Sequence, residues 1–210
     1  MTGNLNSQEM EIAVYSGSFN PLHIGHLAIM RHAVEKAGFD MVYLIVSPKN
    51  PLKNGISSAT GHERYKAAVE AVNRRFPHPA HKAANEDEIR SDLPKIKVDD
   101  IELTMPEPHY TIRTLDALKE REPDNRFTFI MGADNLDDIR RWREYPRILK
   151  EFGVAVFPRK GFCLNEIIKN LLNEDPSYRI QILDAPMVDI SSTQIREALA
   201  CGKDISEHLM

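Results

Sequence analysis

Short apolar runs along the chain alternate with segments of helical periodicity. Residues 12–15, 41–46, 127–131, 153–157 and 178–183 form runs that predict five strands. The run at 41–46 is continuously apolar, which is typical of a strand covered on both faces. Strands that alternate with helices favour a parallel sheet, so the pattern predicts an α/β fold with an open parallel sheet and helices on both faces.

Helical periodicity fills most of the chain between these runs. The predicted helices cover residues 21–36 (or 23–36), 62–75, 111–121, 135–142, 145–150, 164–173 and 192–200. Gly38 and Gly202 are placed to end the first and the last of them. Residues 96–103 have a strand pattern whose apolar positions change parity after Val98, which predicts a bulge or a break.

The domain organisation is predicted to be simple. Residues 1–210 are expected to form one domain with a helical C-terminal portion. Residues 77–95 differ from the rest because they contain three prolines, mixed charge and few large apolar side chains. They predict a surface insertion or a flexible loop, to which we assign no function.

Composition and charge narrow the classes of function. The chain is 42% hydrophobic and 28% charged, with a formal net charge of -4, so it lacks the basic excess of a duplex nucleic-acid binder. No stretch approaches the ~18 apolar residues of a membrane span, and the first nine residues do not resemble a signal peptide. The two distant cysteines, Cys163 and Cys201, fit no metal-ligand spacing and suit a reducing compartment. We expect a soluble cytoplasmic protein without nucleic-acid or membrane partners; its oligomeric state stays open, a homo-oligomer included.

The most informative segment, residues 16–26, directly follows the first predicted strand. Gly17 permits a tight exit from that strand, and Pro21 suits the start of a helix. The segment is neither a G-x-G-x-x-G dinucleotide fingerprint nor a P-loop. It lies at the carboxyl end of a strand, where open α/β sheets bind ligands.

Two histidines in this segment predict a phosphate site. His23 and His26 are three residues apart, so they project from one face of a helix near its N-terminus. Free backbone N–H groups and the helix dipole attract anions there. Gly25 lies between the histidines and lets a bulky ligand approach the backbone. Two surface histidines at an ordinary strand–helix junction are the alternative interpretation.

A second signal lies in residues 190–196. Ser191 and Gln194 fit a capping box, which by itself explains the serines. A capping box does not require Arg196. Hydroxyls and free N–H groups at a helix start, with a guanidinium one turn later, form a second phosphate clamp.

Residues 17–26 and 190–196 resemble the two signatures of the HxGH nucleotidyltransferase superfamily. The resemblance implies a Rossmann-like fold and an enzyme that transfers a nucleotidyl group from a nucleoside triphosphate to a phosphate, with release of pyrophosphate. It implies that the first motif holds the triphosphate and the second closes over the leaving phosphates. The catalytic residues it implies are His23, His26 and Arg196. The ATP-binding residues it implies are Ser16, Gly17, Ser18, Phe19, Gly25, Ile190, Ser192 and Thr193, and the resemblance described next adds Gly132 and Asp134.

Over nearly its whole length the chain also resembles the bacterial nicotinate-nucleotide adenylyltransferases. The segments that carry this resemblance are residues 50–53, 62–64, 100–102, 109–111, 114–115 and 132–135, followed by Trp142. The implied contacts to nicotinate mononucleotide are Asn50, Lys53, Tyr110, Thr111 and Trp142. Ser16 departs from the pattern, because the family often has a second glycine there, and the length of residues 77–95 departs as well.

Each of these residues has a simpler explanation when taken alone. Trp142 could be a packing residue, Asp134 a helix cap, and Lys53 a solvated loop charge. Tyr110 and Thr111 could merely start a helix. Their common order along the chain at family spacing favours the ligand-binding interpretation.

The expected reaction is attack by the acceptor 5′-phosphate on the α-phosphorus of ATP. A phosphate monoester has a second pKa of about 6, so no general base is required. The expected cofactor is Mg²⁺ bound mainly through the ATP phosphates, and no protein metal ligand is predicted.

Two rival functions share some of these signals. Phosphopantetheine adenylyltransferases have the same phosphate motifs but are shorter and lack the Tyr-Thr and Trp elements. A non-catalytic nucleotide-binding module would not need both histidines and Arg196. A class I aminoacyl-tRNA synthetase is rejected, because the chain lacks its lysine-rich second signature and the length for tRNA domains.

Overall fold

The computed structural model describes residues 9–48, 60–76, 95–185 and 190–210. Six strands in these residues form one sheet with the order β3-β2-β1-β4-β5-β6. The strands are β1 (Glu11–Gly17), β2 (Met41–Val46), β3 (Ile96–Asp99), β4 (Arg126–Gly132), β5 (Val154–Phe157) and β6 (Ile180–Ile182). Every neighbouring pair is parallel. The α/β fold and the parallel sheet are therefore confirmed.

Eight α-helical segments accompany the sheet in the described ranges. They are α1 (Ile24–Glu35), α2 (Gly61–Arg75), α3 (Ile101–Thr104), α4 (Thr111–Arg121), α5 (Ala133–Asp137), α6 (Tyr145–Arg147), α7 (Leu164–Glu174) and α8 (Ser192–Ala200). The 3₁₀ turns Ile139–Arg141 and Ser206–His208 and the π-helical turn Ile148–Phe152 complete the helical structure of these ranges. None of the helices in the described part is long and apolar enough to cross a membrane.

The strand order places a crevice beside β1. The chain builds β1, β2 and β3 in one direction and then returns to add β4, β5 and β6 on the other side of β1. Ser16 pairs with Ile45 of β2, and Val14 pairs with Phe129 of β4. In open parallel sheets, ligands bind at the carboxyl ends of the strands where the order reverses.

The two faces of the sheet bury separate apolar clusters. Ile12 and Val14 point into one cluster, which α4, α5 and α7 cover. Ala13 and Tyr15 point into the other, which α1, α2 and Met210 cover. All six residues of β2 are buried, as expected for a strand covered on both faces.

Local signals predicted several boundaries correctly. The strand at 41–46 and the helices at 111–121 and 192–200 have the expected bounds. Helix α2 begins one residue earlier than expected, because Thr60 caps it in a capping box with Glu63. Gly38 and Gly202 adopt positive φ values of 85° and 68° after the helices they end.

The predicted bulge or break in 96–103 is a break: the strand stops at Asp99, whose carboxylate accepts the N–H of Ile101 at the start of α3. Two expectations about local structure are corrected. Pro21 does not begin a helix: it follows a cis peptide bond, and α1 begins at Ile24. The predicted helix at 135–142 divides into α5 and the 3₁₀ turn, with Trp142 just after it.

Some predictions lie outside the described residues. Asn50 and Lys53 fall in 49–59, and nearly all of the predicted insertion falls in 77–94.

Candidate active site

A tight turn follows β1. Phe19 has a positive φ of 43°, and its ring returns over Gly17. A Cβ atom on Gly17 would lie 3.0 Å from the tip of that ring, so only glycine fits without a shift. The Phe19 ring also packs edge-on against Tyr15, with ring centroids 5.3 Å apart. The predicted tight exit from the strand is confirmed.

A buried arginine on α2 donates hydrogen bonds to the same turn. The Arg64 guanidinium donates to the carbonyl oxygens of Ser18 (2.5 Å), Ser47 (2.8 Å) and Pro48 (3.0 Å). Burial lowers the pKa of Arg64, whose side chain is almost fully enclosed. One side chain thus fixes the loops that leave β1 and β2.

Helix α8 contacts the same loop from the other side. Ser192 Oγ donates to the carbonyl oxygen of Pro21 at 3.1 Å. The Arg196 guanidinium donates to the carbonyl oxygen of Asn20 at 2.7 Å and to Thr193 Oγ1 at 3.0 Å. The two predicted phosphate motifs, some 170 residues apart in sequence, therefore meet. The predicted Ser191–Gln194 capping box is also present.

His23 and His26 cap α1 together. His23 is the N-cap residue, and its Nδ1 accepts the N–H of Gly25 at 3.2 Å. His26 Nδ1 accepts the N–H of His23 at 3.2 Å, which completes a reciprocal capping box. The two rings stack with centroids 3.7 Å apart. The structure therefore brings the two histidines together, with His23 preceding the helix rather than lying within it.

This cap determines where each imidazole carries its proton. A neutral imidazole has one donor nitrogen and one acceptor nitrogen. Because Nδ1 of each ring accepts a backbone N–H, the proton of each neutral ring lies on Nε2. The pair therefore offers two Nε2–H donors.

Burial keeps both rings neutral at physiological pH. Desolvation, together with the smaller effect of the nearby positive charge of Arg159, lowers the pKa of His23 to about 4. Desolvation is the main reason that the pKa of His26 lies well below its ordinary value. Electrostatic repulsion from His23, when that ring is protonated, and from Arg159 lowers it in the same direction.

The histidines face a pocket at the carboxyl ends of β1 and β5. Its lining residues come from the β1 end, the start of α1, the loop after β5 and the segment before α8: Tyr15, His23, Gly25, His26, Ile29, Phe157, Pro158, Arg159, Ala185 and Ile190. The predicted residues Gly25 and Ile190 belong to this lining.

Arg159 is a pocket residue that the sequence analysis missed. Its guanidinium lies 4.8 Å from the centre of the Phe157 ring, and its Nε lies 3.6 Å from Asp134 Oδ1. A Cβ atom on Gly132 would lie 2.3 Å from that carboxylate oxygen and 3.1 Å from Arg159 Nε, so this approach requires glycine. The position of Arg159 just after a buried strand was the available signal, since such residues gather at the ligand-binding edge.

Ser16 points to the opposite face of the sheet. Its Oγ donates to Glu102 Oε1 at 3.4 Å, and Thr114 Oγ1 donates to the same oxygen at 2.8 Å. Glu102 is buried, and its Oε2 has no hydrogen-bond partner among the described residues. The serine that departs from the family pattern thus connects β1 to α3 and α4.

The predicted acceptor residues Tyr110, Thr111 and Trp142 lie on this same face. Tyr110 precedes α4, Thr111 begins it, and both Tyr110 and Trp142 pack as half-buried residues against the first apolar cluster. The Trp142 ring meets Phe129 edge-on at 5.8 Å, and the guanidinium of Arg143 lies 5.7 Å from the Tyr110 ring. The chain therefore brings the tyrosine and tryptophan segments into one neighbourhood.

Comparison with known proteins gives a consistent result. A cytidylyltransferase-like family model matches residues 14–198. A probable nicotinate-nucleotide adenylyltransferase of Flavobacterium johnsoniae is 36% identical over 93% of this chain and 90% of its own length. One of Bacteroides fragilis is 38% identical over 91% of this chain and 83% of its own length.

Solved structures show the same fold. The chain is similar to the Plasmodium falciparum nicotinic acid mononucleotide adenylyltransferase complexed with NaAD, with a TM-score of 0.70 and 21% identity over 95% of this chain and 88% of the other. The same Plasmodium enzyme complexed with APC aligns with a TM-score of 0.68 and 20% identity over 96% of this chain and 90% of the other.

The histidine cap makes a spectroscopic prediction. At pH 7, ¹⁵N-resolved NMR should show both His23 and His26 as the Nε2–H tautomer, and His23 should titrate with a midpoint near pH 4 because burial disfavours its charged form. A His26→Asn variant assigns the two signals. An Nδ1–H tautomer, or a midpoint near the ordinary value of about 6.5, would contradict the cap.

The Arg64 contacts predict a loss of stability. Arg64→Met leaves three carbonyl oxygens in the segments after β1 and β2 without their donor. We expect the free energy of unfolding in urea to fall by roughly 2–4 kcal/mol. Lys66→Met, at an exposed position of the same helix, should change it by less than about 0.5 kcal/mol. Equal effects of the two variants would show that Arg64 does not hold the loops.

Proposed function

The chain belongs to the cytidylyltransferase-like family, and within it to the nicotinate-nucleotide adenylyltransferases, and we propose that the pocket beside β1 performs their reaction. That reaction is transfer of the adenylyl group of ATP to nicotinate mononucleotide. The products are nicotinate adenine dinucleotide and pyrophosphate, so the enzyme acts in NAD synthesis. The observation that carries the assignment of the pocket is the pair of Nε2–H donors, which sits at a helix N-terminus beside Arg159.

The transfer is an in-line displacement at phosphorus. A phosphate oxygen of nicotinate mononucleotide forms a bond to the α-phosphorus, the bond from that phosphorus to the bridging oxygen breaks, and its electron pair leaves with pyrophosphate. The attacking phosphate is mostly dianionic at neutral pH, since its second pKa is about 6. The lowered pKa values of His23 and His26 keep both rings neutral. Because each Nδ1 already accepts a backbone N–H, each ring presents a protonated Nε2 to the pocket, which donates a hydrogen bond and has no lone pair to accept a proton.

Charge compensation comes from several elements of the pocket. The two Nε2–H groups and the positive end of the α1 dipole meet phosphate oxygens where negative charge develops. Arg159 lies beside them and supplies a positive charge. The Arg196 guanidinium has five N–H donors and uses two of them for the carbonyl oxygen of Asn20 and for Thr193 Oγ1. The remaining donors can bind the leaving phosphates.

Mg²⁺ fits this site as a companion of the triphosphate. The described residues contain no group of three His, Cys, Asp or Glu side chains that could hold a metal ion. Mg²⁺ prefers phosphate oxygens and water, and it is often held mainly through the substrate. When bound, it neutralises part of the triphosphate charge.

The acceptor is proposed to bind at the same edge of the sheet, on the face opposite the histidine pocket. Tyr110, Thr111 and Trp142 flank this face, and the half-buried ring of Trp142 leaves aromatic surface for a pyridine ring. Asn50 and Lys53 are proposed to meet the mononucleotide phosphate and lie outside the described residues. On the pocket side, Asp134 and Gly132 are proposed to contact the adenosine ribose.

An acceptor panel tests the reaction. Pyrophosphate release is measured with ATP and Mg²⁺ and with nicotinate mononucleotide, nicotinamide mononucleotide or phosphopantetheine. We expect the highest kcat/KM with nicotinate mononucleotide. Faster turnover of phosphopantetheine would overturn the roles of Tyr110, Thr111 and Trp142. ATP binding without pyrophosphate release from any acceptor would indicate a non-catalytic nucleotide-binding module.

A pair of variants separates chemistry from acceptor binding. His26→Gln retains a capping-box acceptor at the third helical position, so it should fold normally. It loses the imidazole donor, and we expect kcat to fall by about 10²–10³-fold. Trp142→Ala should instead raise the KM for the acceptor about tenfold or more while kcat changes less. A near-normal kcat for His26→Gln would remove His26 from the mechanism, and an unchanged acceptor KM for Trp142→Ala would return Trp142 to packing.

A further inference from the structure

Residues 205–210, which we call the strap, return from α8 to the first motif. An isolated antiparallel bridge pairs Leu209 with His23. Met210 is 7% exposed and packs in the second apolar cluster together with Phe19. The strap therefore contacts the histidine motif both through its backbone and through a buried side chain.

Hydrogen bonds from the end of α2 also stabilise the position of the strap. The guanidinium of Arg74 donates to the carbonyl oxygen of Met210 at 3.4 Å, and that of Arg75 donates to the carbonyl oxygen of Leu209 at 3.3 Å. Both arginines lie in the last turn of α2. Ile205, at the other end of the strap, is also buried. These contacts do not involve the pocket itself.

The bridge and the helix cap require the same backbone at His23. An antiparallel pair needs an extended residue, and so does an N-cap residue. His23 has φ -144° and ψ 170°, which satisfies both. A cis peptide bond between residues 20 and 21 lies just before it. Its backbone N–H donates to Nδ1 of His26. The strap thus adds a second, independent constraint on the residue whose conformation starts α1.

We propose that the strap positions His23 for the reaction. Pairing with Leu209 and burial of Met210 hold His23 extended, and only then can its ring cap α1 and direct Nε2–H into the pocket. Leu209 and Met210 act through His23 and are positioning residues. The proposal rests on the proposed function for the role of His23, but its structural part concerns the ligand-free protein.

Met210→Ser tests the proposal without adding a charge near His23. Loosening the strap exposes the ring, so the NMR titration midpoint of His23 should rise from near pH 4 toward its ordinary value. Displacing a catalytic hydrogen-bond donor by about 1 Å can lower the rate about 10²-fold. We therefore expect kcat to fall strongly, while the KM for nicotinate mononucleotide changes less. Met210→Leu keeps an apolar side chain of similar size, so its His23 midpoint and its kcat should both stay close to the wild-type values.

A matched control and a second variant complete the test. Glu207→Gln changes a strap side chain that is 82% exposed and should leave both readouts unchanged. Leu209→Pro removes the N–H that Leu209 donates to the carbonyl oxygen of Ser206 at 3.2 Å and fixes φ near -65°. It should therefore loosen the end of the strap and raise the midpoint even if Met210→Ser fails to fold. A His23 midpoint and kcat that stay at the wild-type values in the folded variants would overturn the proposal. Wild-type protein that lacks transfer activity would overturn the proposed function alone, since the midpoint is measured without substrate.

Discussion

The N-terminus of α1 has backbone N–H groups that need acceptors, and here imidazoles supply them. Serine, threonine, aspartate or asparagine usually fills this role, and each presents an oxygen to the backbone. A histidine accepts with one nitrogen and keeps a donor on the other. Because His23 and His26 cap the helix reciprocally, the requirement of the helix also determines the direction of two donors at the pocket. The start of the helix and the direction of the two pocket donors thus depend on the same two hydrogen bonds.

Three side chains from two helices donate to carbonyl oxygens of the loop before this cap. Arg64 reaches Ser18, Arg196 reaches Asn20, and Ser192 reaches Pro21. The donors come from helices that are far apart in the sequence, and a buried carbonyl without a donor costs about 1–3 kcal/mol. The conformation of this loop is therefore supported by both α2 and α8.

The sequence predicted the elements whose signals are local. Continuous burial of β2 and the capping box of α8 can be recognised from neighbouring residues alone, and both have the predicted bounds. The change of parity after Val98 predicted a bulge or a break, but an apolar pattern does not show that the Asp99 side chain starts a new helical turn there. The contribution of Arg159 was missed for a different reason. Its partner Asp134 is distant in sequence and approaches only because Gly132 lacks a side chain, and such a contact exists only in the folded chain.

Neutral histidines are the physically consistent choice for this pocket. Two imidazolium rings with centroids 3.7 Å apart beside Arg159 would repel each other in the ligand-free protein, and their burial would add a desolvation cost. Neutral Nε2–H donors avoid both penalties and still strengthen as negative charge grows on the phosphate oxygens. Positive charge is then left to the arginines, whose protonation does not change at any physiological pH. A site built in this way orients its donors through geometry that the fold already requires, and the strength of these donors does not depend on a titration near neutral pH.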